Sequence, residues 1–216
     1  MQAATIIWDW NGTLLNDLSL CISSINSLLK QRGLSLLNKA YYQEVFSFPV
    51  KDYYSAIGFD FSQEDFSVPA HEFIDLYETG MDNCTLHPGA IQVLSFFREK
   101  GLRQFVLSAM QQDLLEKTLK ANNIYHFFEG IAGLDDHFAV SKEERGKQLI
   151  KQFKIRKKNT LMIGDTIHDF EVAQALEIDC ILIADGHQSE KRLKSTGAIV
   201  INNLLDMMSR DLIKIH

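Results

Sequence analysis

The stretch Ile6-Ile7-Trp8-Asp9-Trp10-Asn11-Gly12-Thr13 is an apolar run that ends in a carboxylate, followed by a small polar residue, a glycine and a hydroxyl. The run from Thr5 to Trp8 predicts a short buried strand, and Gly12 turns the chain out of it. Asp9 then falls at the carboxyl end of that strand, where open α/β sheets hold their ligands. A carboxylate in that place binds a metal, acts as a nucleophile or caps a helix. The stretch alone leaves these readings open.

Three later stretches narrow them. Phe105-Val106-Leu107-Ser108 is an apolar run ending in a hydroxyl, Lys142 opens a helical segment, and Leu161-Met162-Ile163-Gly164-Asp165-Thr166-Ile167-His168-Asp169 ends a third run in a Gly-Asp-Thr turn with a second Asp beyond it. From about residue 84 onward, strands and helices alternate. Strands are expected at 103–107, 130–132, 160–163, 179–183 and 198–201, with helices at 90–100, 112–122, 142–153, 168–176, 189–195 and from 204 onward. That alternation implies a Rossmann-like, doubly wound parallel sheet with helices on both faces. Asp9, Ser108 and Asp165 then meet along one edge of the sheet. Two close carboxylates repel unless a cation lies between them. Oxygen donors without His or Cys favour Mg²⁺.

Between about 16 and 83 the pattern changes. Leu14 to Leu29 recur at helical spacing, and Tyr41, Tyr42, Phe46, Tyr53, Tyr54, Phe66, Phe73 and Tyr77 follow at helical intervals, with breaks at Phe48-Pro49, Gly58 and Pro69. About four helices are expected, with the aromatic stripe as their core rather than a binding platform. The chain therefore reads as an α/β core, 1–15 and 84–216, with a small helical unit, 16–83, inserted after the first strand.

Composition sets the outer bounds. The 216 residues are 46% hydrophobic and 23% charged, enough to bury a core, and the net charge is −6. No long basic run suggests nucleic acid or an anionic membrane as a partner. No apolar stretch of about 18 residues suggests a membrane span. The first strand begins at once, without a basic and apolar leader pattern. Cys21, Cys84 and Cys180 are widely spaced and read as reduced thiols of a cytoplasmic protein.

Strand-end Asp9, strand-end Ser108, Lys142 and the Gly164-Asp165-x-x-x-Asp169 turn, in that order over nearly the whole chain, resemble the haloacid dehalogenase (HAD) superfamily. Together with the re-entry at Pro88-Gly89, the arrangement looks most like its phosphoglycolate phosphatases and their relatives. The resemblance implies a phosphatase acting on a small phosphorylated metabolite, as a monomer or homodimer. It makes Asp9 the nucleophile of an aspartyl-phosphate mechanism, and it assigns Mg²⁺ to Asp9, the backbone carbonyl of Asn11 and Asp165, with Asp169 as a supporting ligand. It implies substrate or phosphate contacts from Ser108, Ala109, Lys142, the Asn11-Gly12-Thr13 turn and Lys51 of the helical unit. Lys147 is the alternative to Lys142. The helical unit resembles the family's cap, with Phe48-Pro49-Val50-Lys51 as the loop facing Asp9.

The chain departs from the family at Asn11, where the usual residue is an Asp that protonates the leaving group. Asn cannot exchange a proton at neutral pH. One alternative is a phosphatase that acts on a good leaving group or uses another acid, His168 or His187. A second is carbon–phosphorus hydrolysis, as in phosphonoacetaldehyde hydrolase, with Lys51 forming a Schiff base. A third is a weakly active phosphate-binding regulatory module.

Overall fold

The computed structural model describes residues 2–134, 141–209 and 214–215. Six parallel strands form its centre: β1 (Thr5–Trp8), β2 (Arg103–Gln111), β3 (Gly130–Leu134), β4 (Thr160–Gly164), β5 (Asp179–Ile183) and β6 (Ile199–Ile201). Their spatial order is β3-β2-β1-β4-β5-β6, that of a doubly wound Rossmann-like sheet. Continuous apolar runs form these strands because both faces are covered. Ile6 and Trp8 pack on one face with Leu94, Phe97 and Leu115 of helices α5 (Ala90–Glu99) and α6 (Gln112–Ala121). Ile7 and Phe105 pack on the other with Leu149 and Val172 of α7 (Lys142–Gln152) and α8 (Ile167–Leu176). A short α9 (Glu190–Lys194) buries Leu193 on that second face.

Register places the site. Trp8 pairs with Val106 on one side and Ile163 on the other. The residues that follow each pair, Asp9, Leu107-Ser108 and Gly164-Asp165, therefore emerge together at one sheet edge. β2 runs past Ser108 to Gln111, with its register against β3 shifting between Leu107 and Gln111. Ser108 is thus inside a strand and beyond the last pair with β1.

Residues between β1 and α5 form four helices: α1 (Leu18–Gln31), α2 (Lys39–Val45), α3 (Val50–Ala56) and α4 (Ser67–Gly80). The helix expected from Leu14 begins later. Leu15–Asn16 pairs antiparallel with Thr85–Leu86, a two-strand ribbon at the entry and exit of the helical segment. Pro69 breaks nothing, since it lies in the first turn of α4, where a missing N–H costs no helical bond. The segment is latched to the loop after β5. Gln43 Nε2 donates to the Gly186 carbonyl (2.8 Å), Gln188 Nε2 to that of Phe46 (2.8 Å), and Arg192 Nη1 to both Gln43 and Phe46 carbonyls. The final helix is a 3₁₀ turn at Leu204–Met208, and its expected continuation over 210–213 lies outside the described residues.

Candidate active site

Asp9 is buried at the end of β1, and α7 brings Lys142 to it. The Lys142 ammonium bridges the carboxylates of Asp9 and Asp169, at 2.6 Å from Asp169 Oδ1. The other Asp169 oxygen accepts from the backbone amides of Asp165 (3.2 Å) and Thr166 (3.0 Å) and from the Thr166 hydroxyl (2.7 Å). Asp169 and Thr166 form a reciprocal capping box at the start of α8. Asp169 thus holds both Lys142 and the β4–α8 turn. Lys147 lies on the surface and pairs with Glu143.

Asp165 is fully buried. It accepts from the Thr13 hydroxyl (2.9 Å) and the His187 amide (2.6 Å). A Cβ on Gly12, which has φ +71°, would collide with the Asp165 carboxylate and the His187 ring. Only glycine lets this turn lie against β4. One carboxylate oxygen each from Asp9, Asp165 and Asp169 lies within 4.8 Å of the others. Burial pushes the Asp9 carboxyl up, with Lys142 opposing and Asp169 and Asp165 reinforcing the rise. Burial likewise raises Asp165, against the pull of His187. Burial disfavours the Lys142 charge, but Asp169 and Asp9 overcome it and hold the ammonium protonated. Among the described residues, three buried carboxylates surround one ammonium and leave an excess of negative charge. An all-oxygen donor set with such an excess fits a hard divalent cation.

Asn11 is clamped. Its amide nitrogen donates to Asp17 Oδ2 (2.9 Å) and the Tyr77 hydroxyl (2.7 Å), and Tyr77 donates to the same Asp17 oxygen (2.7 Å). Because a carboxylate only accepts, the Asn11 nitrogen must face Asp17. The Asn11 oxygen faces the Ser108 hydroxyl at 3.4 Å. Asp17 Oδ1 takes the Gly12 amide (2.8 Å) and His187 Nε2 (3.1 Å). Burial alone would raise Asp17, but His187, Tyr77 and Asn11 hold it at about 2. Burial would lower His187, but Asp17 raises it to about 9. This is a buried carboxylate–imidazolium pair. His187 Nδ1 lies 3.0 Å from the Tyr42 hydroxyl, so both ring nitrogens are engaged within the fold.

Two expectations are corrected here. The Gly12 amide donates to Leu15 O and Asp17, and the Thr13 amide to Trp10 O. Thr13 also spends its hydroxyl on Asp165, so Gly12 and Thr13 shape the site rather than donate to phosphate. The aromatic stripe is not core alone. Tyr42, Tyr53 and Tyr54 are buried, yet with Phe46, Phe66 and Phe73 they also wall a cavity of about 780 Å³. Asp9, Lys142 and Asp165 line the same cavity, as do Ala109, Lys51 and His168. His168 packs on Phe48 at 4.7 Å between ring centroids. Lys51 is exposed, with its ammonium 5.7 Å from the Phe61 ring centre.

Asp17 and Tyr77 escaped the sequence reading. Asp17 precedes α1 and reads as an ordinary N-cap, but its side chain caps nothing. Tyr77 reads as one more core aromatic. The only local hint was Asn11 itself, an amide that calls for an acceptor where an acid is expected.

A sequence profile of the haloacid dehalogenase-like hydrolases matches residues 6–183. The chain is 24% identical to a phosphoglycolate phosphatase of Caulobacter vibrioides, over 96% of this chain and 90% of that protein. It is 24% identical to the pyrophosphatase PpaX of Oceanobacillus iheyensis, over 90% of each. A haloacid dehalogenase-like hydrolase from Streptococcus pneumoniae shares the fold, with a TM-score of 0.82 at 20% identity, covering 95% of this chain and 97% of that one. The matched span carries β1 to β5 and with them Asp9, Ser108, Lys142, Asp165 and Asp169. The chain belongs to the haloacid dehalogenase-like hydrolases.

Proposed function

We propose that the protein is a Mg²⁺-dependent phosphatase that hydrolyses a small phosphorylated metabolite through an aspartyl-phosphate on Asp9. The observation that carries this reading is the Lys142 ammonium held between Asp9 and Asp169, with Asp165 alongside. Asp9, the backbone carbonyl of Asn11 and Asp165 would hold the cation, with Asp169 behind them. When bound, the cation offsets carboxylate charge and polarises a phosphoryl oxygen.

The Asp9 carboxylate attacks phosphorus in line, and the ester oxygen leaves on the opposite side. Lys142, fixed by Asp169, presents positive charge to the equatorial oxygens as their charge grows. Ser108, at the same edge, donates its hydroxyl. Water then hydrolyses the acyl phosphate and restores Asp9. Residues 16–83 act as a cap that closes the chamber and selects the substrate. The free thiols fit a cytoplasmic protein, and no helix among the described residues is long and apolar enough to cross a membrane. The substrate is a small molecule, and the protein acts as a monomer or homodimer.

The carbon–phosphorus reading is not favoured. A Schiff-base lysine is activated by desolvation or a neighbouring cation, and Lys51 is exposed over an aromatic ring. Phosphate release from phosphate monoesters, measured with and without Mg²⁺, tests the proposal. Asp9→Asn should lower turnover at least ~10⁴-fold with an unchanged circular dichroism spectrum. Retained turnover in that variant would remove Asp9 from the mechanism.

A further inference from the structure

The chamber over Asp9 differs from what a small polyanionic substrate needs. Its volume of about 780 Å³ suits a ligand far larger than phosphoglycolate. Phe46, Phe66, Phe73, Met110 and Leu114 give it apolar walls. Among the described lining residues the lysines are Lys142, committed to Asp9 and Asp169, and exposed Lys51, and there is no arginine. A second carboxylate or phosphate on the substrate would find no bidentate clamp, and Glu78 on the same wall would repel it. A polyhydroxylated sugar would lose its hydrogen bonds to water against phenyl rings.

Asn11 points the same way from a different observation. Both its amide hydrogens are tied to Asp17 and Tyr77, so the first loop protonates no leaving group. An alkoxide leaves poorly without a proton. A phenoxide, whose conjugate acid ionises near 10 as in Tyr, leaves with far less help.

We propose that the substrate is a phosphate monoester of a phenol, with its aryl group stacked in the chamber walled by Phe46, Phe66 and Phe73. Tyr53 lines that chamber, and its buried hydroxyl has no hydrogen-bond partner among the described residues. This inference rests on the phosphatase reading and narrows it. Asp9 forms its bond to phosphorus as the P–O(aryl) bond breaks. The aryl oxide departs with the electron pair and takes a proton from solvent. Water then cleaves the acyl phosphate to inorganic phosphate.

The experiment compares 2-naphthyl phosphate, benzyl phosphate, 2-phosphoglycolate and pyrophosphate with Mg²⁺ present. It also measures calorimetric binding of 2-naphthylmethylphosphonate, which cannot be hydrolysed. The expected kcat/KM for 2-naphthyl phosphate exceeds that for 2-phosphoglycolate by about 10²-fold or more. Benzyl phosphate, apolar but with an alkoxide leaving group, should show a KM similar to that of the naphthyl ester and a kcat about 10²-fold lower. Phe73→Ala should weaken phosphonate binding about tenfold. Tighter binding or faster turnover of phosphoglycolate or pyrophosphate would overturn the proposal. So would phosphonate binding indifferent to Phe73→Ala. If no ester is hydrolysed while the phosphonate binds in the chamber, the phosphatase reading fails and the aryl-ligand assignment stands. If the phosphonate does not bind, the assignment fails whatever is hydrolysed.

Discussion

Two buried ionic clusters lie against the same loop, residues 9–17, and they differ in charge balance. The first holds the Asp9, Asp165 and Asp169 carboxylates with one ammonium, Lys142. The second holds one carboxylate, Asp17, with one imidazolium, His187, and fills every remaining bond with Asn11, Tyr77, Tyr42 and the Gly12 amide. Under the proposed function the unbalanced cluster takes up a cation and a phosphoryl group. The balanced one is complete and holds the loop in shape. Asp17, Cys21 and His187 also bring ligand-type atoms within 4.8 Å of one another, but their hydrogen bonds are already made. Proximity of ligating atoms is therefore a weaker sign of a site than unspent charge.

The largest effect is expected from removing one member of the balanced pair. His187→Leu leaves Asp17 buried without its cation and should cost about 3–5 kcal/mol of folding stability, read from urea midpoints. A loss under about 1 kcal/mol would mean that Asp17 is not held by the pair. In the unbalanced cluster the corresponding change should act on chemistry. Lys142→Met should lower kcat about 10²–10³-fold with a smaller loss of stability than His187→Leu, because Asp9 and Asp165, already raised by burial, can take up protons. Equal stability losses in the two variants would mean that the two clusters do not differ in charge balance.

The cation dependence sharpens it further. Mg²⁺ at about a hundred times its Kd should stabilise the wild type by about 2.7 kcal/mol, and Asp165→Ala should abolish that gain. Mg²⁺ stabilisation that survives the change would place the metal elsewhere.

The smallest effect concerns the contact between the clusters. Asn11→Asp sets a second carboxylate 2.9 Å from Asp17, and two so close cannot both ionise. The new carboxyl is raised in the folded state, so it is protonated at no cost near pH 4. The deficit grows as pH rises toward its folded value, to about 1–2 kcal/mol. Asp17→Asn relieves that repulsion but strips His187 of its anion, so it should cost less in the Asn11→Asp background than in the wild type, a coupling readable in a double-mutant cycle. Only the double variant should speed hydrolysis of alkyl phosphates more than of p-nitrophenyl phosphate, because only there is the restored acid free to exchange its proton. Purely additive effects would mean that Asn11 and Asp17 do not share a hydrogen bond.

The cluster of Asp9, Lys142, Asp165 and Asp169 was legible in the sequence because each member sits at a local landmark. Asp9 and Asp165 follow apolar strands, Lys142 opens a helix, and Asp169 stands three residues after a capping threonine. The second cluster was not. Asp17 meets Tyr77 across 60 residues and His187 across 170, and each alone reads as a cap, a core ring or a turn. The amides of Gly12 and Thr13 were read as phosphate donors because a Gly turn exposes N–H groups. Whether they stay exposed depends on what folds against them, and here Leu15, Asp17 and Trp10 do.

The sequence by itself determined the strand–helix alternation, the edge of the sheet where the carboxylates gather, and the helical segment between the first strand and the rest. Those follow from periodicity and turn chemistry, which act over a few residues. Only the tertiary structure decided that Asn11 is held by Asp17, that His187 is a buried cation, and that the aromatic stripe walls a chamber over Asp9. Protonation, hydrogen-bond satisfaction and the facing of a side chain toward core or cavity depend on partners far away in the chain. No local pattern encodes how the helical segment settles on the sheet edge.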